Sequence, residues 1–272
     1  MAETLQDALA RTDDRTPRER LMAALRSRTA LGVALFLTLV VFWLLGRYQG
    51  ASFSELLSLT VWGVMLGGII ALGAIGLTLV YGVLKFPNFA HGELVTLGAY
   101  GALTFAAVLP AGPAMRPFSF GWELLAGLIL SMPIVSFIAL AVDRVLFRPL
   151  RLRMASLVLF AMASLAAAFF LRSAIYLVWG SDFLFYYPGR ANPALDLPLG
   201  IRVQADQIFV FLLATVLVIL TWLLLERTRM GKAMRATANN PDLAQVRGIN
   251  TERVIAWTWI LGACLAAAGG VM

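Results

Sequence analysis

Seven apolar segments, about 29–46, 59–84, 89–109, 122–146, 154–179, 206–225 and 254–272, dominate this 272-residue chain. Each has the length of a membrane crossing, for which a helix needs about 20 residues. Backbone polar groups cannot stay unpaired in hydrocarbon, so a chain built this way folds as a bundle of membrane helices. Composition points the same way: 60% of residues are hydrophobic and 14% charged, which excludes an ordinary soluble domain. The expected fold is an all-α polytopic transmembrane bundle of about seven spans over residues 29–272, after a charged tail, 1–28.

The charged residues set the orientation. Residues 1–28, Lys85, residues 143–153 and residues 226–253 hold 17 of the 22 basic side chains, and alternate threading puts all four regions on one face. The opposite loops hold only Arg47, Arg116, Arg190 and Arg202. The positive-inside rule then predicts a cytoplasmic N-terminus and an outward-facing 180–205 loop. That pattern also explains the pI near 10.2 without nucleic acid. The first apolar run lacks a small-residue cleavage site, so it reads as a retained span rather than a signal peptide. The tail reads as solvated, with a short helix near 18–27. The last run stops at Met272 with no polar anchor beyond it, and we expect a truncated sequence.

Little here supports chemistry. One cysteine, Cys264, and one histidine, His91, leave no metal cluster, and no cofactor or catalytic residue is expected. Gly231 and Lys232 are followed by Ala233 without the glycine pattern of a phosphate-binding loop, so nucleotide-driven work would need another subunit.

The second span carries Gly63, Gly67, Gly68, Gly73 and Gly76, and the third carries Gly98, Ala102 and Ala106 at four-residue spacing. Small residues let membrane helices approach closely, so packing is the expected role of these positions. The second span is some 26 residues, about 39 Å of helix against about 30 Å of hydrocarbon. It must tilt or break, and Gly82 with Pro87 marks a plausible break.

Beyond that break, Lys85, Pro87, Asn88, His91 and Glu93 stand between two apolar runs. Polar residues in such a place must be compensated or used. Asn88 is an expected N-cap for the next helix, with Glu93 in its first turns, and simple threading puts both at the cytoplasmic interface. If the segment dips inward instead, Glu93 could pair with Lys85 or with another helix. Asn88, His91, Glu93 and Arg172 are therefore pathway or gate candidates, beside a capping role for the first three. For Arg172, snorkelling to the outer interface is the expected behaviour, with a substrate carboxylate as the alternative. The outer loop carries Trp179, Tyr186, Tyr187, Pro188 and Pro193, an aromatic belt long enough to dock an external partner.

In the loop ERTRMGKAMRATANNPDLAQVRGINTER, Asn240 is a good N-cap, Pro241 fits the first helical position and Gly248 suits the position after the C-cap. The spacing predicts a two-turn helix over Pro241 to Arg247, with Leu243, Ala244 and Val246 as its apolar surface.

The run GVMLGGIIALGAIGLTLVYGVLKFPNFAHGELVTLGAY resembles the second-and-third-span signature of the LivH-type permeases, the inner-membrane subunits of branched-chain amino-acid ABC importers. The run GKAMRATANNPDLAQVRGINTERVIAWTWILGA resembles the cytoplasmic loop of that family, which engages the ATPase. Together they cover most of 60–105 and 226–272. The resemblance implies a type II ABC importer permease in the bacterial inner membrane. It implies as partners a second homologous permease, two ATPase subunits and a periplasmic substrate-binding protein. It assigns ATPase coupling to Pro241, Asp242, Leu243, Ala244, Val246 and Gly248, and the gate or pathway region to the NFAHGE motif from Asn88 to Glu93. Three features depart from the family: the long arginine-rich leader, the Lys85-Phe86-Pro87 turn, and the end of the chain before further spans.

The function this predicts is import of branched-chain or other small hydrophobic amino acids, with a urea or short-amide permease of the same fold as the rival. An ion-coupled secondary transporter would need mid-span carboxylates, and Glu93 and Asp143 are expected near interfaces. A membrane enzyme lacks a paired nucleophile and base.

Overall fold

The computed structural model describes residues 17–110, 112–187, 194–197 and 200–272. Those residues form ten α-helices and one small hairpin: α1 (Pro17–Tyr48), α2 (Phe53–Leu84), α3 (His91–Val108), α4 (Trp122–Val142), α5 (Arg148–Leu152), α6 (Leu157–Trp179), α7 (Ala205–Arg227), α8 (Arg229–Asn239), α9 (Pro241–Val246) and α10 (Thr251–Val271). Strands β1 (Ala194–Leu197) and β2 (Ile201–Gln204) pair antiparallel, from Ala194 opposite Gln204 to Leu197 opposite Ile201. A π-helical turn, Asp143–Phe147, joins α4 to α5.

Among the described residues, five helices are long and apolar enough to cross a membrane: α2, α4 continued to Leu152, α6, α7 and α10. The other two expected spans correspond to the apolar Gly32–Tyr48 part of α1 and to the 18-residue α3. The short helix expected near 18–27 is not separate, because α1 runs unbroken from Pro17. Residues 1–16 of the expected tail lie outside the described residues, as do Pro188, Arg190 and Pro193.

Packing divides the described chain into two units, one ending at Leu57 and the other Ser58–Met272. In the first, Leu56 packs on Gly46, and the apolar residues of α1 from Val33 to Tyr48 are largely exposed. The second holds the core. There α3, α4 and α10 pack on one another, and α10 is the most buried span, with 56% of its apolar window inside against 11–33% for the others.

Small residues explain that centre. A Cβ on Gly98 would strike the backbone of Ala267, and one on Gly270 would strike the Val95 carbonyl. A Cβ on Gly127 would sit 2.7 Å from the Ala102 carbonyl oxygen, and one on Gly76 2.8 Å from that of Gly262. The helices meet backbone to backbone, which only such residues permit. Not every glycine serves this purpose: Gly63, Gly67 and Gly82 have open space where a Cβ would stand.

Two ends of this unit can be told apart. Helices α2 and α7 finish, and α6 and α10 begin, at an end rich in arginine; α3, α6 and α10 finish at the end that carries the hairpin. At the basic end Asp143 is buried yet fully engaged. Its carboxylate accepts Nη1 and Nη2 of Arg151 at 2.6 and 3.1 Å and the indole N–H of Trp259 at 2.8 Å. Glu252 of α10 adds a contact to Arg148 at 3.3 Å. At the hairpin end, Glu123 is buried and accepts the Tyr187 hydroxyl at 3.1 Å and the Gly112 N–H at 3.3 Å. Burial pushes the Tyr186 phenol pKa well above its ordinary value, while its hydroxyl donates to the Ala99 carbonyl.

Candidate functional site

The break after α2 falls at Lys85 rather than Gly82. Helix α2 continues to Leu84, and Lys85 adopts φ 60, a left-handed conformation unusual for a side chain with a Cβ. Such a residue costs about 1 kcal/mol or more and persists only where its surroundings hold it. Here Phe86 is the anchor. Its ring lies 4.9 Å from both Phe147 and Phe160, in a cluster that Trp259 extends by stacking on Phe147.

From that anchor the chain turns back into the bundle. Ser164 of α6 is fully buried and accepts the Phe89 N–H at 3.3 Å, with the Pro87 carbonyl also 3.3 Å from its hydroxyl. His91 Nε2 lies 2.9 Å from the carbonyl oxygen of Gly73. Gly73 is 11 residues before Leu84, so the start of α3 stands roughly 16 Å of helical rise from the end of α2. The polar knot is therefore inside the bundle, not at its interface. Gly76 makes room for it, since a Cβ there would come within 3.0 Å of the His91 ring.

Asn88 does not cap α3. The residue before the helix is Ala90, and the Asn88 carbonyl and Oδ1 accept from the N–H groups of His91 at 3.2 Å and Ala90 at 3.2 Å. Local Asx-turn geometry takes the side chain first, and the helix starts later. Asn88 Nδ2 and His91 Nδ1 are buried with no hydrogen-bond partner among the described residues. Unpaired groups of this kind cost about 1–3 kcal/mol each and call for a functional or structural reason.

Glu93, one turn into α3, finds its partner 79 positions away. Its Oε1 accepts Nε of Arg172 at 2.9 Å and Nη2 at 2.5 Å. The carboxylate side chain is 7% exposed and the guanidinium side chain 56%. Arg172 therefore does not snorkel outward: the carboxylate holds its head against α3. Lys85, the other expected partner, is exposed at the turn. The structure thus gathers Asn88, His91, Glu93 and Arg172 around one re-entrant turn. Ser164 and the Phe86 ring contacts were not singled out in the sequence, where nothing local marks them. Asp143 was noted only as an interfacial acid, although Arg151 eight residues on was a readable partner.

The other expected site is separate. Asn240 Oδ1 accepts the Leu243 N–H at 3.0 Å, and Pro241 opens α9. The helix ends at Val246 with Arg247 as its C-cap, one residue sooner than expected. Gly248, at φ 82, donates to the Gln245 carbonyl at 2.8 Å, and Ile249 to that of Ala244 at 3.0 Å, the paired bonds of a Schellman stop. Ala244 is buried, whereas Asp242, Leu243 and Val246 are exposed, Val246 at 84%. Thr228 caps α8 by accepting the Gly231 N–H at 3.0 Å, and α8 turns Met234 and Thr237 inward.

Residues 59–272 match the model of the family described as branched-chain amino acid transport system / permease component. The chain belongs to this family. It is 32% identical over 216 residues to the high-affinity branched-chain amino acid transport system permease protein LivH of Escherichia coli K12, a match covering 77% of this chain and 68% of that one. It is 31% identical over 215 residues to the corresponding permease protein BraD of Pseudomonas aeruginosa, with the same coverage. It is also 31% identical over 215 residues to a probable LivH permease of Methanocaldococcus jannaschii, over 64% of that protein. No solved structure matches the chain. As a member of this permease family with five helices long and apolar enough to cross a bilayer, it is a membrane-embedded transport subunit.

Proposed function

We propose that this chain is the permease subunit of an ABC importer that carries branched-chain or other small hydrophobic amino acids across the bacterial inner membrane. In this reading the N-terminus and the arginine-rich end face the cytoplasm, following the positive-inside rule. About seven spans cross, with α1 and α3 supplying the two that fall outside the five longest. Two separate ATPase subunits drive transport, a second homologous permease completes the pathway, and a periplasmic protein delivers substrate. The subunit has no ATPase site of its own.

The observation that carries the reading is α9 in a chain of this family. It is a six-residue helix fixed at both ends by its own caps, with Leu243 and Val246 held out from the bundle at its arginine-rich end. A rigid apolar knob on that side is what a motor subunit would need to grip. Its route inward is short: Gln245 Nε2 donates to Thr251 Oγ1 of α10 at 2.9 Å, and α10 is the central helix. Displacement of α9 would reach Gly262, Ala267 and Gly270, where α10 crosses α2 and α3 by close backbone contact. The re-entrant turn with Asn88, His91, Glu93 and Arg172 is then the part of the pathway that moves.

The test is reconstitution of the chain with its neighbouring permease, ATPases and binding protein in proteoliposomes. ATP-dependent accumulation of labelled leucine is the expected result. Uptake that proceeds without ATPase subunits would overturn the reading.

A further inference from the structure

The Glu93–Arg172 pair leaves hydrogen-bonding capacity on both partners. Both bonds fall on Oε1 and come from Nε and Nη2, so Oε2 and Nη1 take no part in them. The guanidinium side chain is more than half exposed on a membrane-crossing helix. A cation facing lipid is expensive there, and the usual relief, stretching to the interface, is blocked because Nε and Nη2 are turned to a carboxylate inside the bundle.

The surface around the pair is mixed: Leu165, Phe169, Phe170, Leu177 and Val178 are exposed on α6 beside small and polar groups. Gly92 and Thr104 are exposed and Thr96 half-buried on α3; Ser173 and Tyr176 are exposed on α6. The stripe is continuous toward the hairpin end, where Trp179 Nε1 donates to Thr104 Oγ1 at 2.9 Å. The Thr96 and Thr104 hydroxyls donate to the Gly92 and Tyr100 carbonyls within α3, so it is the exposed Arg172 head that calls for a hydrated path or a protein contact. Exposed apolar surface flanks the pair as well, from Phe89 at the turn and Phe169 one helical turn before Arg172.

We propose that Glu93 and Arg172 form a recognition point for the zwitterionic backbone of a free α-amino acid, with substrate carboxylate on Nη1 of Arg172 and substrate ammonium on Oε2 of Glu93. The proposal rests on the importer reading above and names the substrate class of its pathway. Opposite charges already side by side present no net charge, so a zwitterion docks without leaving a surplus. A guanidinium edge suits a carboxylate better than any neutral group. Urea or a short amide offers Nη1 only a neutral carbonyl oxygen and brings no ammonium to Oε2, so both charge-assisted bonds are lost, and a polar site discriminates against a ligand that lacks the groups it was built for. The aliphatic side chain meets only the apolar flank, which tolerates several shapes.

The test uses the complete importer in proteoliposomes. Arg172→Gln should lower leucine uptake by about tenfold or more, the worth of a charged hydrogen bond. The exchange Glu93→Arg with Arg172→Glu keeps an ion pair but reverses the two charges, and it should not restore uptake. Wild-type uptake by Arg172→Gln, or its recovery in the exchanged pair, would reduce the pair to a structural tie. A second measurement leaves the pair intact and covers failure of these variants to assemble: Thr96→Cys with Cys264→Ser, labelled by a water-soluble thiol reagent. Leucine should slow the labelling and leucinamide should not. Equal protection by both, or by neither, would overturn the proposal. An unaltered importer that moves no amino acid would instead remove the importer reading itself.

Discussion

Glu93 on α3 and Arg172 on α6 meet through a single carboxylate oxygen, with Oε1 2.9 Å from Nε and 2.5 Å from Nη2. Arg172 is 15 residues beyond Leu157, where α6 begins, so the contact lies about 22 Å of helical rise from that end. Side chains lean toward the N-terminus of their helix, which brings the guanidinium back toward α3. Ser164 meets the Pro87–Phe89 turn two helical turns earlier on the same helix. Two contacts on one helix thus fix both the level and the direction of α3.

The Asp143 cluster should behave as a structural lock. Its carboxylate is buried and receives three donors, two from Arg151 and one from Trp259. Asp143→Ala leaves Arg151 only Glu252 Oε2, at 3.8 Å and half exposed, as counter-charge and leaves the Trp259 indole N–H without its acceptor, and should cost about 3 kcal/mol, the low end of the penalty for breaking a buried pair. The expected readout is a clear drop in melting temperature in detergent. An unchanged melting temperature would show that the cluster adds nothing.

The glycines divide into two groups with opposite outcomes. Gly98→Val and Gly270→Val would push side chains into the backbones of Ala267 and Val95, at a cost of about 1–3 kcal/mol or more each. Gly63→Ala and Gly67→Ala meet open space and should be neutral or slightly favourable. Monodispersity on size exclusion and thermal stability will separate the two groups if helix crossing, not composition, is what matters.

Gly248→Val tests the loop helix. A β-branched residue at φ 82 is strained by about 1–2 kcal/mol, and the Schellman bonds that end α9 should loosen. Insertion should continue, because α10 starts from its own cap, Asn250 Oδ1 accepting the Arg253 N–H at 3.0 Å. The expected phenotype is ATP hydrolysis without matching uptake. Normal uptake per ATP would remove the coupling role from α9.

Much of this was legible from local chemistry. Apolar length located most helix ends to within a few residues, though α1 begins twelve residues before its apolar segment and α2 six before, and the Asn240, Pro241 and Gly248 signals fixed α9 because capping depends on residues within a turn or two. The level of the α2–α3 turn was not legible. It is set by Phe86 against Phe147 and Phe160, by Ser164 against Pro87, and by Arg172 against Glu93, pairs 61 to 79 positions apart. Threading each span straight through the membrane put Glu93 at one interface and Arg172 near the other, and so concealed their contact. Asn88 misled for a related reason, since an Asx turn and an N-cap share one residue preference and differ only in where the helix begins.

The re-entrant placement of the α2–α3 turn is the point on which the pathway depends, and the depth of Gly92 in a bilayer tests it most directly. Gly92 is exposed beside Glu93 and has open space for a side chain, so Gly92→Cys can carry a spin label. Depth and accessibility then follow from power saturation with a lipid-soluble and a water-soluble relaxant. A label deep in the hydrocarbon yet reached by the water-soluble relaxant is the expected result, because the start of α3 stands about 16 Å of helical rise from the end of α2 and the proposed pathway passes beside it. A label at headgroup depth would contradict it and return Asn88, His91 and Glu93 to an interfacial helix start.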